Sequence, residues 1–220
     1  MGSNFDAGDT ESLSDFNNLQ EFVRDASPSQ WLDHAEELHD NAELIWCHED
    51  QSLRTRVVLN TDRYAVADPL RVSGVSRTYL LLAGFALENL LKGLIVLDDP
   101  CHINTGVLSR ELKCHKIGVL ASKVQDLTLS QDENEFCSLV TAAIPYWGRY
   151  PIPLDKRGIM PEIGMTRARR HVFLGLFDRL ALRLYWAIRD GWDSGVGPKS
   201  LKMRSVRYGD RIDPKEPLWE

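Results

Sequence analysis

Tyr79-Leu80-Leu81-Leu82-Ala83-Gly84-Phe85-Ala86-Leu87-Glu88-Asn89-Leu90-Leu91-Lys92-Gly93-Leu94-Ile95-Val96-Leu97 is the most apolar stretch of the chain, and its reading decides the fold. It is long enough to cross a bilayer, but Glu88, Asn89 and Lys92 interrupt it where a spanning segment would carry no charge. An apolar helix with polar residues at these positions is instead expected in the centre of a helical domain, packed on several sides. The central helix is predicted over Leu70–Leu97, with Asp98-Asp99-Pro100 as its stop signal. Ser73, Arg77, Gly84, Glu88 and Lys92 recur at helical spacing and form one polar stripe along it.

The segments on either side read as further helices. Ser27-Pro28-Ser29-Gln30 offers an N-cap serine, a proline at the first helical position and a glutamine placed to complete a capping box. From there Trp31, Ala35, Leu38, Ala42 and Ile45 form an apolar stripe to about Cys47. Further helices are predicted from near His115 through Val124, over roughly Asp132–Tyr146, and from Arg167 to about Asp190, the last with Phe173, Leu176, Phe177, Leu180, Leu184 and Ile188 on one face. Residues 49–69 read as a loop with short structure, and the four prolines between 145 and 165 predict a long irregular segment. No convincing strand pattern intervenes. The expected fold is all-α: a four- to five-helix up-and-down bundle over residues 27–192, with a largely disordered acidic segment before it (1–26) and an irregular basic tail after it (193–220).

Composition narrows the function classes. With 220 residues, 43% of them hydrophobic, the chain can bury one substantial core. A net charge of -6 argues against the overall basic footprint of a nucleic-acid-binding domain and leaves only a local basic patch. The N-terminus lacks the basic and apolar regions of a secretory signal, so a soluble cytoplasmic protein with four reduced cysteines is expected, and no membrane partner.

The stretch Tyr79 to Leu94 with its Glu88-x-x-x-Lys92 pair, the segment His115-Lys116-Ile117-Gly118-Val119-Leu120, and Arg149-Tyr150-Pro151 together resemble the corresponding motifs of prokaryotic HEPN-domain proteins, over about residues 70–190. This resemblance implies a helical bundle that often dimerises. It also implies either a metal-independent endoribonuclease of defence or toxin type, which acts without a cofactor, or a non-catalytic interaction module with an antitoxin or other partner protein. Catalytic members of that family carry an arginine followed a few residues later by a histidine. Such a pair suits RNA cleavage, because histidine exchanges a proton with the attacking 2′-hydroxyl or the leaving oxygen while arginine neutralises phosphate charge. Arg110 and His115 have this spacing, although they precede the third helix and Glu111 follows the arginine; Arg167 and His171, on the last helix, stand closer together.

The resemblance therefore implies His115, Arg110 and Arg149 as catalytic residues, with Glu88, Lys92 and Tyr150 around RNA or a nucleotide. Arg167 and Arg170, cations near a helix N-terminus where the macrodipole disfavours them, are expected to answer an anion or an acidic partner surface. Aromatics interleaved with arginines in Tyr146-Trp147-Gly148-Arg149-Tyr150 suit base stacking and phosphate binding. The alternative for each is structural: Glu88 and Lys92 as an i, i+4 ion pair, His115 as a helix-start residue, and the arginines as partners of acidic groups. Three cysteines directly precede histidines, at Cys47-His48, Cys101-His102 and Cys114-His115, but without the spacings of a zinc site, so no metal is expected.

Overall fold

Helix boundaries follow local capping chemistry. In a computed structural model, which describes residues 7–47, 77–144, 165–197, 202–205, 207 and 208, six α-helices are present: α1 (Ala7–Asp25), α2 (Pro28–Cys47), α3 (Arg77–Asp98), α4 (Ile117–Ala121), α5 (Gln131–Ala143) and α6 (Arg167–Ile188). Ser130 starts α5 with a reciprocal capping box: its hydroxyl accepts from the Glu133 N–H, and its own N–H donates to the Glu133 carboxylate at 2.7 Å. Thr166 caps α6 by accepting from the Arg169 N–H. Asp99 ends α3 and starts a 3-10 turn over Pro100–His102, its side chain accepting from the Cys101 N–H. The capping box expected at Ser27 is replaced by a hydroxyl contact to Ser29 Oγ, while the Gln30 N–H goes to the Ser27 backbone carbonyl.

The protein is all-α, with no strand among the described residues. Helix α3 is its axis and packs against α2, α4, α5 and α6. Tyr79, Leu80, Ala83, Ala86, Leu87, Leu90, Leu91 and Leu94 are fully buried on it, as the apolar run predicts. Although α3 is long and apolar enough to span a membrane, 78% of that stretch is buried against the rest of the protein. Gly93 explains how tightly it is enclosed: a Cβ there would lie 2.7 Å from Leu184 Cδ2 of α6 and 3.0 Å from Trp31 Cβ of α2. Phe173 forms an aromatic knot with Tyr79, Phe136 and Phe177, joining α3, α5 and α6.

Several expectations need correction. The acidic N-terminal segment is not largely disordered, because residues 7–25 form α1, with Val23 buried and Leu19 and Phe22 packed against the core. These few apolar residues share one face, so the segment is anchored despite its polar composition. The helix expected from His115 to Val124 is shorter, covering Ile117–Ala121, and His115 precedes it. The C-terminal segment also adds to the core: Tyr208 is fully buried with its ring 5.1 Å from that of Tyr185, and the Ser205 N–H donates to the Tyr185 hydroxyl. Arg207 reaches Asp40 and His39 of α2, which secures the same segment. The expected loop over 49–69, the start of the central helix before Arg77 and the irregular segment after Ile144 lie outside the described residues.

Both anchored ends yield a stability prediction. Tyr208→Ala, which removes a fully buried aromatic side chain, is expected to lower unfolding free energy by about 3 kcal/mol. Deleting residues 1–26 is expected to lower the denaturation midpoint as well, because it strips Val23 and Ala26 from the core. Urea unfolding of the two variants beside the full chain checks both, and an unchanged midpoint would show that these ends do not contribute to the folded domain.

Candidate active site

Glu88 and Lys92 lie one turn apart on α3, and the structure buries both: their side chains are 6% and 7% exposed, and Lys92 Nζ donates to Glu88 Oε1 at 2.6 Å. Isolated, either charge would be costly in this core, but together they cancel. The Trp31 ring of α2 lies 5.7 Å from Lys92 Nζ and places its π face beside the ammonium. Trp31 is itself held by its indole N–H, which donates to the Ala26 carbonyl.

The same carboxylate meets His115. Nδ1 of His115 lies 3.0 Å from Oε1 and 3.2 Å from Oε2 of Glu88. A carboxylate accepts only, so Nδ1 carries the proton and Nε2 is the free basic nitrogen on the opposite edge of the ring. With the His115 side chain 64% exposed, that edge is open to solvent. The arrangement is a buried carboxylate orienting a surface imidazole, a relation that fixes the tautomer and ring orientation of the histidine in one well-known class of proton-transfer sites.

Buried residues on both sides fix the segment that carries His115. Leu112 and Ile117 are almost fully buried, three residues before and two after it. The Ile117 N–H donates to Thr141 Oγ1 of α5 at 3.0 Å, which ties the start of α4 to that helix. Upstream, Ser109 bonds His102 twice, through its backbone N–H to the His102 carbonyl and through its hydroxyl to Nδ1 at 2.8 Å. His115 is thus not a helix-capping residue: Lys116 occupies the N-cap and makes no side-chain capping bond.

Of the residues predicted from the sequence, Glu88, Lys92 and His115 come together. Lys92 differs from its expected role, since its ammonium is buried against Glu88 rather than presented to a ligand. Arg110 is exposed on the turn before His115, and Arg167 is exposed at the start of α6. Arg170 is corrected: its guanidinium binds Glu43 of α2 in a two-pronged pair and lies 5.2 Å from the Trp46 ring. The Tyr79 hydroxyl donates to the same carboxylate at 2.8 Å. Burial would raise the Glu43 carboxyl, but the Arg170 and Tyr79 donors outweigh it and hold the group below its usual range. Burial, reinforced by the Glu43 bond, pushes the Tyr79 hydroxyl far up. Tyr79 and Glu88 are nine residues apart on α3, roughly 13 Å along its axis, so these are two separate polar centres. Arg149 and Tyr150 lie outside the described residues.

Sequence reasoning missed Trp31, Thr141 and Glu43. Trp31 was visible only as one member of an apolar stripe, and Glu43 finds its partner 127 residues away. Among the described residues no group of three or more His, Cys, Asp or Glu side chains gathers to hold a metal ion. Cys137 is buried, and burial pushes its thiol up to about 12.

Two stability predictions follow from these centres. Lys92→Met leaves the Glu88 carboxylate buried without its cation and is expected to cost about 3–5 kcal/mol, most of it recovered in the Glu88→Leu/Lys92→Met double variant. A double-mutant cycle in urea checks this. For Glu43, the depressed folded-state value means that its contribution is fully present above the ordinary carboxylate range and is lost as pH falls through the folded value. Arg170→Ala is therefore expected to lower stability at neutral pH by about 1–3 kcal/mol and by less in acid, read from melts across pH.

Compared with models of known families, with curated proteins and with solved structures, the chain has no match.

Proposed function

We propose that this chain is a HEPN-like bundle that binds RNA and cleaves it without metal, with His115 as the proton-exchanging residue. The observation that carries the reading is the exposed imidazole of His115, oriented through Nδ1 by the buried Glu88 carboxylate. In this chemistry Nε2 takes the proton of an RNA 2′-hydroxyl as its oxygen forms a bond to the neighbouring phosphorus. The bond from phosphorus to the 5′-oxygen breaks, and the leaving oxygen receives a proton from an imidazolium or from water. A cation is needed beside the phosphate, and Arg110, exposed on the turn five residues before His115, is assigned that role together with Arg149. Glu88 is assigned to orienting His115, and Lys92 to neutralising Glu88. Arg170, engaged by Glu43, takes no part, which narrows the RNA-binding residues to Arg110, Arg149, Tyr150 and Arg167.

A second reading, as a non-catalytic module that binds an antitoxin, another protein or a second copy of itself, is supported by Leu13 and Phe16. These lie one turn apart on α1 and are 62% and 50% exposed.

The test is RNA cleavage in the presence of chelator. The wild-type chain is expected to cleave single-stranded or structured RNA, and His115→Ala to slow cleavage by about 10²–10⁴-fold with RNA affinity nearly unchanged. Wild-type protein at micromolar concentration that leaves RNA intact would overturn the nuclease reading and leave the interaction module.

A further inference from the structure

A cavity of about 730 Å³ lies between the second half of α1, the first turns of α2 and the segment that follows α6. Its size suits a small organic ligand. Helix α2 divides it from the site above: Trp31 faces Lys92, whereas Gln30 and Asp33 face the cavity. The walls come from residues far apart in the sequence, and they are fixed. Val23 is buried, and the Met203 N–H donates to the Arg189 carbonyl, which holds the C-terminal wall against the end of α6.

Apolar groups from both walls meet here, namely Val23 from α1 and Trp192, Val196 and Met203 from the C-terminal segment. Valine, methionine and indole together make a surface that an aromatic ring fits well. Among the charged groups, Arg24 is engaged by Glu21 at 3.2 Å and by Asp25 at 3.1 Å. Lys202 also lines the cavity, and its charge acts on Asp190, which Arg189 and, more weakly, Lys202 hold below its usual range. Asp33 differs from all of these. It makes no hydrogen bond or ion pair with a described residue; it is exposed at the rim, and partial desolvation against the cavity wall raises its carboxyl, with no cation acting against it. The cavity therefore combines apolar walls with a carboxylate at its rim that has no cationic partner among the described residues.

We infer that the cavity binds an organic cation of the arylalkylamine class, its ring against Val23, Val196, Met203 and Trp192 and its ammonium on Asp33. The carboxylate selects charge and the apolar walls select the ring, so a neutral or anionic molecule of the same shape is the discriminating comparison. Binding needs an ionised Asp33, so it is full at neutral pH and weakens as pH falls through the titration of that carboxyl.

The experiment is calorimetric titration of the full chain with tryptamine, and with tryptophol and indole-3-acetate as neutral and anionic analogues. Tryptamine is expected to bind at least about tenfold more tightly than either analogue. Asp33→Asn, a change on an exposed helix position, is expected to abolish that preference while leaving tryptophol binding as in the wild type. Val196→Trp, which fills the cavity from its C-terminal wall, is expected to abolish binding of all three, with a thermal melt confirming that each variant is folded. Equal binding of the three compounds would overturn the inference, as would no tryptamine binding up to about 1 mM. A preference that survives Asp33→Asn, or binding that survives Val196→Trp in folded protein, would overturn it equally.

Discussion

The buried pair of Glu88 and Lys92 is the constraint around which this bundle is arranged. Two charges withdrawn from water on one helix must find each other and little else, because each alone would cost several kcal/mol. Their i, i+4 spacing brings them within 2.6 Å without help from another element. What the rest of the protein supplies is the enclosure. Trp31 of α2 lies beside the ammonium, and Gly93 lets α2 and α6 approach α3 closely enough to exclude water. Among the described residues, the polar group that reaches this carboxylate from outside the helix is His115, so the carboxylate is shared between the core and the surface. That sharing turns an internal ion pair into a candidate reactive centre.

A second set of polar ties holds the helices in place. Glu43, Arg170 and Tyr79 join α2, α6 and α3, while Arg179 of α6 reaches Glu133 at the start of α5 and the Thr128 carbonyl before it. Arg183 donates to the Gln125 carbonyl, tying α6 to the connection between α4 and α5. Arg170, a candidate RNA ligand by its sequence, thus acts as an internal clamp, as do Arg179 and Arg183, since the planar guanidinium presents several donors in a fixed fork. The ends of the chain are drawn in by smaller anchors: Val23 on α1, and Tyr208 with Arg207 near the C-terminus. These ends also build the walls of the cavity between α1, α2 and the C-terminal segment, so that cavity exists only in the complete fold.

The all-α class, the buried central helix and the polar residues on it were legible in the amino-acid sequence alone. An apolar run interrupted by i, i+4 charges suits the centre of a helical domain, packed on several sides. Other features belonged to the tertiary structure. The contact of His115 with Glu88 spans 27 residues, that of Arg170 with Glu43 spans 127, and that of Arg207 with Asp40 spans 167. No periodicity encodes such pairings. Whether an arginine serves a phosphate or a carboxylate, and whether an acidic segment dangles or docks, depends on which surfaces the packed helices bring within a few ångströms. Local sequence determines the element, because backbone and neighbouring side chains act over one turn; only the assembled core decides the partners, because burial leaves a charged group no alternative but the group placed beside it.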